Sequence, residues 1–150
     1  MSTAEVNNFL ALEPHLVDAV KRAVAGLSPA VHVLTAADLG DVKESAQRTP
    51  AVHLIYGGYR VQEDVRTAWR LEHTWYAVVV VRHAGTQRTG AAARADAGQL
   101  VARVVAALAG ASLPGLSQPL ALASPPPADY RAGVQYIPSA FTAETIFRKT

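Results

Sequence analysis

Leu16, Val20, Val24 and Leu27 recur at helical spacing, while Asp18, Lys21 and Arg22 fall between them, so residues 14–27 are predicted to form an amphipathic helix. Pro14 suits its first turn, where a missing N–H costs nothing, and Gly26 with Ser28-Pro29 supplies a stop. Residues 31–34 read as a short strand. Thr35 then caps a brief helical stretch through Asp38, Gly40 interrupts it, and residues 42–47 add a further turn. After Pro50, residues 51–56 form an extended run that Gly57-Gly58 is expected to close. The polar residues 59–68 show no clear period and read as a loop or as the arm of a hairpin.

Residues 70–83 carry the strongest strand pattern in the chain. One face holds His73, Trp75, Ala77, Val79 and Val81; the other holds Thr74, Tyr76, Val78, Val80 and Arg82. A strand apolar on both sides at its centre is expected to be central and covered on both faces, by helices or by a neighbouring subunit. Residues 85–90 read as a polar connection. Residues 91–109 read as a long Ala-rich helix, with Ala93, Ala97, Leu100, Val104 and Leu108 in one stripe that Val101 and Val105 widen. Residues 120–123 make a short strand. Ser124-Pro125-Pro126-Pro127 cannot enter a sheet interior and is expected to cross an edge as polyproline, and residues 134–137 and 140–147 alternate as a strand broken at Pro138. This order does not alternate strand with helix throughout, as a doubly wound parallel sheet requires. It predicts an α+β fold, a mostly antiparallel sheet with two long helices packed on one face, in a single domain spanning residues 1–150.

Composition narrows the picture without deciding it. The 150 residues include no cysteine, which excludes disulfides and thiol chemistry, and a chain of this length can bury a core without staples. No apolar block approaches the ~20 residues of a spanning helix, and no leader is visible before Leu12, so the expected location is the cytoplasm of its cell, with no membrane partner. The balance of 14 Lys and Arg against 12 Asp and Glu is too even for a dedicated nucleic-acid binder. Its distribution says more: acids predominate in residues 1–50, whereas the cations of residues 51–100 are all arginines, Arg60, Arg66, Arg70, Arg82, Arg88 and Arg94, several beside Tyr56, Tyr59, Trp69 and Trp75. Arginine with aromatics suits protein interfaces and also single-stranded nucleic acid; the interleaved Glu63, Asp64 and Glu72 favour the protein interface. Acidic and basic flanks could also orient copies head to tail in a ring.

Catalytic patterns are sparse. His15, His32, His53, His73 and His83 form no HxxxH, HExxH or HxH pair; convergence of His32, His53 and His73 would be needed for a metal site or a small hydrolase, and satisfied core histidines are the plainer reading. No GxSxG elbow occurs, and Ser139 follows Pro138 within an extended segment. Gly85-Thr86-Gln87-Arg88-Thr89-Gly90 lacks the Lys and Ser/Thr that complete a phosphate loop, since Ala91 follows. The acids Asp38, Asp41, Glu63, Asp64 and Glu144 read as solvated. No cofactor is expected.

The run Ser124-Pro125-Pro126-Pro127-Ala128-Asp129-Tyr130-Arg131-Ala132-Gly133-Val134-Gln135-Tyr136-Ile137-Pro138-Ser139-Ala140-Phe141 resembles the closing region of tail terminator, or tail completion, proteins of long-tailed, Mu-like bacteriophages and prophages. The N-terminal helix, the strand ending in Gly57-Gly58 and the central strand at 75–81 follow in that family's order, so the similarity spans most of the chain. The resemblance implies a non-enzymatic virion protein at the tail–neck junction, assembled in the host cytoplasm. It implies a homo-oligomeric ring, a hexamer, that caps the tail tube protein, stops its polymerisation and presents a surface to the head connector or a neck protein. A ring around the DNA channel would bring some arginines near DNA incidentally. The alternatives are another neck or tail-tube subunit and the histidine-dependent hydrolase. The family motif labels no functional residues. Tyr59, Arg60, Glu63, Asp64, Arg66 and Trp69, in a middle segment too polar for core, are the candidate assembly contacts.

Overall fold

Pro14 stands in the first turn of α1 (Glu13–Val24), and Leu16, Ala19, Val20 and Val24 are buried along one side while Asp18, Lys21 and Arg22 face solvent. Gly26, at φ +79°, turns the chain out of the helix as the sequence predicts. The structure, a computed structural model, describes residues 7–39, 48–82 and 87–150, the side chains of 87–95 excepted. The expected turn at 42–47, Asp41, His83 and the side chains of Arg88, Ala93 and Arg94 therefore lie outside the described residues.

After α1 come β1 (His32–Thr35), α2 (Ala36–Leu39), β2 (Ala51–Val65), β3 (Ala68–Arg82), α3 (Gln87–Leu108), β4 (Ala121–Ala123), β5 (Asp129–Arg131) and β6 (Val134–Arg148). At the start of α2 the Asp38 carboxylate reaches back to accept from the Thr35 N–H at 2.8 Å and the Thr35 hydroxyl at 3.2 Å. The cap is thus made by the aspartate acting on Thr35, whose hydroxyl donates where a capping threonine is expected to accept, and the Thr35 backbone N–H holds the Asp38 carboxyl below its ordinary range.

The fold is α+β. Among the described residues six strands form one mixed sheet in the order β1-β2-β3-β6-β4, with β5 also on β6. The β1–β2 pair is parallel, and the other pairs are antiparallel. Val52, Leu54, Trp75, Ala77, Val79 and Phe141 point from one sheet face into a core shared with Leu16, Val20, Leu100, Val104 and Leu108 of the two long helices. On the other face Ala51, Val80 and Val134 make a smaller cluster with Leu34, Val78 and Tyr136. Among the described residues the two long helices cover the central strand on one face only. Val78 and Tyr76 on the opposite face are half-buried.

Three expectations are corrected. Gly57-Gly58 does not end β2: the ladder with β3 slips in register between Tyr56 and Tyr59 and again between Val61 and Glu63, so the glycines form a bulge inside one long strand. Pro138 does not break β6, where it lies opposite Val78. Toward the outer edge it falls between the residues that β5 pairs, 134–136, and those that β4 pairs, 140–142, so a missing N–H on that side leaves no ladder bond unmade. Helix α3 begins at Gln87, within the segment read as a polar connection, because Gln87 and Arg88 are good helix formers continuous with the Ala-rich run. Residues 124–127 are exposed between β4 and β5, as expected of an edge crossing.

Candidate functional site

The segment holding the six candidate contacts is the outer arm of the β2–β3 hairpin, not a loop. Tyr59 to Val65 in β2 and Ala68 to His73 in β3 are joined by Arg66 and Thr67 in a turn, with residues 143–148 of β6 alongside. Cross-strand partners share a face, so the arm's register distributes the candidates over both sides. Arg60 opposes Glu72 and Glu63 opposes Arg70 on the face away from the helices; Tyr59 opposes His73 and Asp64 opposes Trp69 on the helix side.

Nearly every charge on the arm has a partner. Arg60 Nε donates to Glu72 Oε1 at 2.9 Å, and Gln62 Nε2 donates to Glu72 Oε2 at 2.9 Å. Arg70 and Glu63 lie 3.7 Å apart. Lys149 Nζ donates to Asp64 Oδ1 at 2.6 Å and sits 4.4 Å from the centre of the Trp69 ring, while its backbone N–H reaches Thr67 O at 2.9 Å. The hydrogen bond from Lys149 holds the Asp64 carboxyl below its ordinary range. Exposed pairs of this kind contribute little stability; their effect is to fix the direction of long side chains. Arg66, at the tip, has no hydrogen bond or ion pair with a described residue. Tyr59 and Val61 are exposed apolar side chains, 54% and 55% accessible. The arm is an ordered, charge-laced, partly apolar projection.

Sequence reading missed the groups that hold this arm in place. Phe9 packs edge-on against Tyr59, His73 and Phe147, with centroids at 4.9, 5.2 and 5.7 Å. His73, buried, joins three strands: Tyr56 Oη lies 2.8 Å from its Nδ1 and Thr145 Oγ1 lies 2.8 Å from its Nε2. Either hydroxyl can donate or accept, so the neutral ring is satisfied in either tautomer. Burial pushes the His73 pKa down and the Tyr56 pKa up. The period-2 alternation at 68–73 and 143–148 was a signal for this packing, but nothing local tied Phe9 to it.

Among the described residues the three candidate histidines do not converge, and no group of three or more histidines and acids could hold a metal ion: His32, opposite Ala51 on β2, shares the His53 face, and His73 does not. His53 opposes Val78 and His73 opposes Tyr59, which puts the two imidazoles on opposite faces of the sheet. His53 is buried with no partner for Nε2 among the described residues, and burial lowers its pKa. A cleft of 480 Å³ at the other end of the sheet is lined by Leu27, Thr49, Arg82, Asp96, Gln99 and Arg103 among others, and Arg103 Nη1 donates to Ala23 O at 3.3 Å. No histidine or second carboxylate lines it among the described residues. No helix among them is long and apolar enough to cross a membrane.

The buried histidines make a pH prediction. Their folded pKa values lie below the ordinary 6.5, so the unfolded chain binds more protons as pH falls. Their contribution is intact above pH 6.5 and is lost as pH drops through the window below that value, before the carboxylates titrate near ~4. Urea midpoints measured from about pH 7.5 to 5 should stay level and then fall, and His53→Gln should reduce the slope. A midpoint independent of pH through this window would contradict the burial of both rings.

The family model described as phage tail terminator protein matches residues 6–150. A solved structure described as the virion of a native gene transfer agent particle is similar in fold, with a TM-score of 0.56 at 18% identity over 97% of this chain and 99% of that one. No curated protein matches.

Proposed function

From the premise that this chain belongs to the phage tail terminator protein family, and is thereby a structural protein of the phage tail, we propose that it forms a homo-oligomeric ring, a hexamer, that caps the tail tube. The ring ends polymerisation of the tube protein and offers its outer surface to the head connector or a neck protein. It belongs at the tail–neck junction of the virion, after assembly in the host cytoplasm, and carries no catalytic step. Arginines that face the channel meet DNA incidentally.

The hairpin arm is the observation that carries this reading to particular residues. A cap must match tube subunits on one side and refuse them on the other, which calls for a projecting element of fixed orientation with apolar contact area and directed charge. Tyr59, Arg60, Glu63, Asp64, Arg66 and Trp69 have those properties together. Arg66 has no ion pair with a described residue, and Arg60 stands 72% exposed at its ion pair.

Charge reversal gives the test. Arg60→Glu with Arg66→Glu should leave the thermal midpoint within a few degrees, because both side chains are exposed, and should reduce capping of isolated tail tubes at least tenfold, with overlong tails and unjoined heads in infected cells. Tails of normal length with normal head joining would remove the arm from the functional account. Failure of the wild-type protein to arrest growth of purified tube would remove the terminator reading itself.

A further inference from the structure

The proposed role asks that the arm hold one orientation, yet its β2 strand is exposed, whereas Ala68, Leu71 and His73 of β3 and Ala143 of β6 are buried. Its residues from 59 to 65 are half or fully exposed, unlike residues 51–54 of the same strand, which are buried. Two described segments connect it to the helical layer: the one after α3, where Ser117 N and Oγ donate to Glu144 O and Ser117 Oγ also to Glu144 Oε1, and the short segment from residue 7 to residue 12 that leads into α1.

That segment grips the arm at two points. The Asn7 side chain acts like a strand residue at the free edge of β6, its Nδ2 donating to Arg148 O and its Oδ1 accepting from Arg148 N, each at 3.2 Å. Phe9 enters among Tyr59, His73 and Phe147, so one ring touches all three strands of the arm. Between these grips and the helix the segment supports itself: Asn8 Oδ1 accepts from Leu10 N at 3.0 Å, and Ala11 N donates to Asn8 O at 3.0 Å. Leu12 is buried in the main core and anchors the helix end. Under Phe9 remains a gap of 20 Å³, bordered by Leu12, His73, Leu116 and Thr145. That is room for one water at most, so the segment is not close-packed on its inner side.

We infer that residues 7–10 are a latch that fixes the orientation of the hairpin arm and releases it without unfolding the core. The latch rests, for its purpose, on the arm's being the assembly surface, but its existence does not. Its grips are two long, exposed hydrogen bonds and a single aromatic wedge, whereas the sheet behind is held by the helix-covered cluster. Opening therefore belongs to the low-energy local motions of the molecule rather than to global unfolding. Release exposes a contiguous aromatic row, Tyr59, His73, Phe147 and Trp69, the last two with centroids 5.7 Å apart.

Hydrogen exchange on the full chain tests the latch without any partner. Phe9→Ala should accelerate amide exchange about tenfold in residues 59–65, 68–73 and 143–148 while residues 77–81 exchange as before; Phe9→Leu should restore most of the protection. Asn7→Ala should act in the same direction, most at 146–148. Acceleration spread equally over 77–81, or none in the arm, would overturn the latch. Tube capping is then read separately on the same variants. Normal capping by a Phe9→Ala protein whose arm exchanges fast would overturn the latch's part in assembly while leaving the terminator reading standing.

Discussion

Replacing Trp75 by alanine should cost about 3–5 kcal/mol and leave a domain folded marginally or not at all at 37 °C. Trp75 is 1% exposed at the middle of β3, the strand with two long neighbours. It lies opposite Phe141 of β6, itself wholly buried, and Tyr56 of β2, whose ring centroid is 5.0 Å away. Both helices close over it, with Leu16 and Val20 from α1 and Leu100 and Val104 from α3 in the same cluster. Truncation removes the largest fully buried side chain among the described residues and leaves a cavity that strands tied on both sides cannot collapse to fill. A folded domain typically has about 5–15 kcal/mol in hand, so the loss consumes a large share of it. Urea denaturation read by far-UV circular dichroism checks this: a midpoint within ~0.3 M of wild type would show that the helices and β3 do not pack around Trp75 as described.

A side chain at Gly57 should have the second largest effect. The bulge brings this residue against β3 so closely that a Cβ would stand 2.5 Å from Tyr76 Cε2 and 3.2 Å from the Thr74 carbonyl oxygen. The first contact is with a ring that can swing; the second is with backbone that the β3–β6 ladder holds. Gly57→Val should therefore destabilise by about 1–3 kcal/mol. In Gly57→Ala with Tyr76→Ala the ring clash disappears and the carbonyl contact stays, so the double variant should cost less than the two single losses added. Strict additivity would place the strain elsewhere in the bulge. Because the bulge also sets which residues of the arm face which way, Gly57→Val should impair tube capping even at temperatures where the protein remains folded.

These two sites differ in how visible they are from the chain alone. The alternation that buries Trp75 with Ala77 and Val79 can be read directly, because a strand's side chains alternate whatever else the fold does. Gly57 is equally visible as a glycine, but its neighbour Gly58 makes the pair look like a turn. Whether two glycines end a strand or kink it depends on whether a partner ladder continues past them, and β3 continues to Ala68. Pro138 was misread for the same reason. A proline's effect depends on which edge its missing N–H faces, and only the placement of β4 and β5 settles that.

The candidate site divides similarly. Tyr59, Arg60, Glu63, Asp64, Arg66 and Trp69 could be singled out as a polar, aromatic-bearing stretch, but their pairing could not. Arg60 with Glu72 and Asp64 with Lys149 are matches across strands, separated by 12 and 85 residues. Phe9 and His73, which hold the arm, looked unrelated in sequence because contacts at such separation leave no local period.

The sequence by itself determined the elements whose signals are local: the first helix with its proline start and glycine stop, the Ala-rich helix, the central apolar strand, and the proline crossing at 124–127. It also supplied the family resemblance over most of the chain. Only the tertiary structure decided the strand order, the continuation of β2 and β6 through glycine and proline, which sheet face the two long helices cover, and the grip of Asn7 and Phe9 on the arm. The physical reason is range. Periodicity and capping act within a few residues, whereas register, edge coverage and cross-strand charge pairing are settled between segments that meet only when the chain has folded.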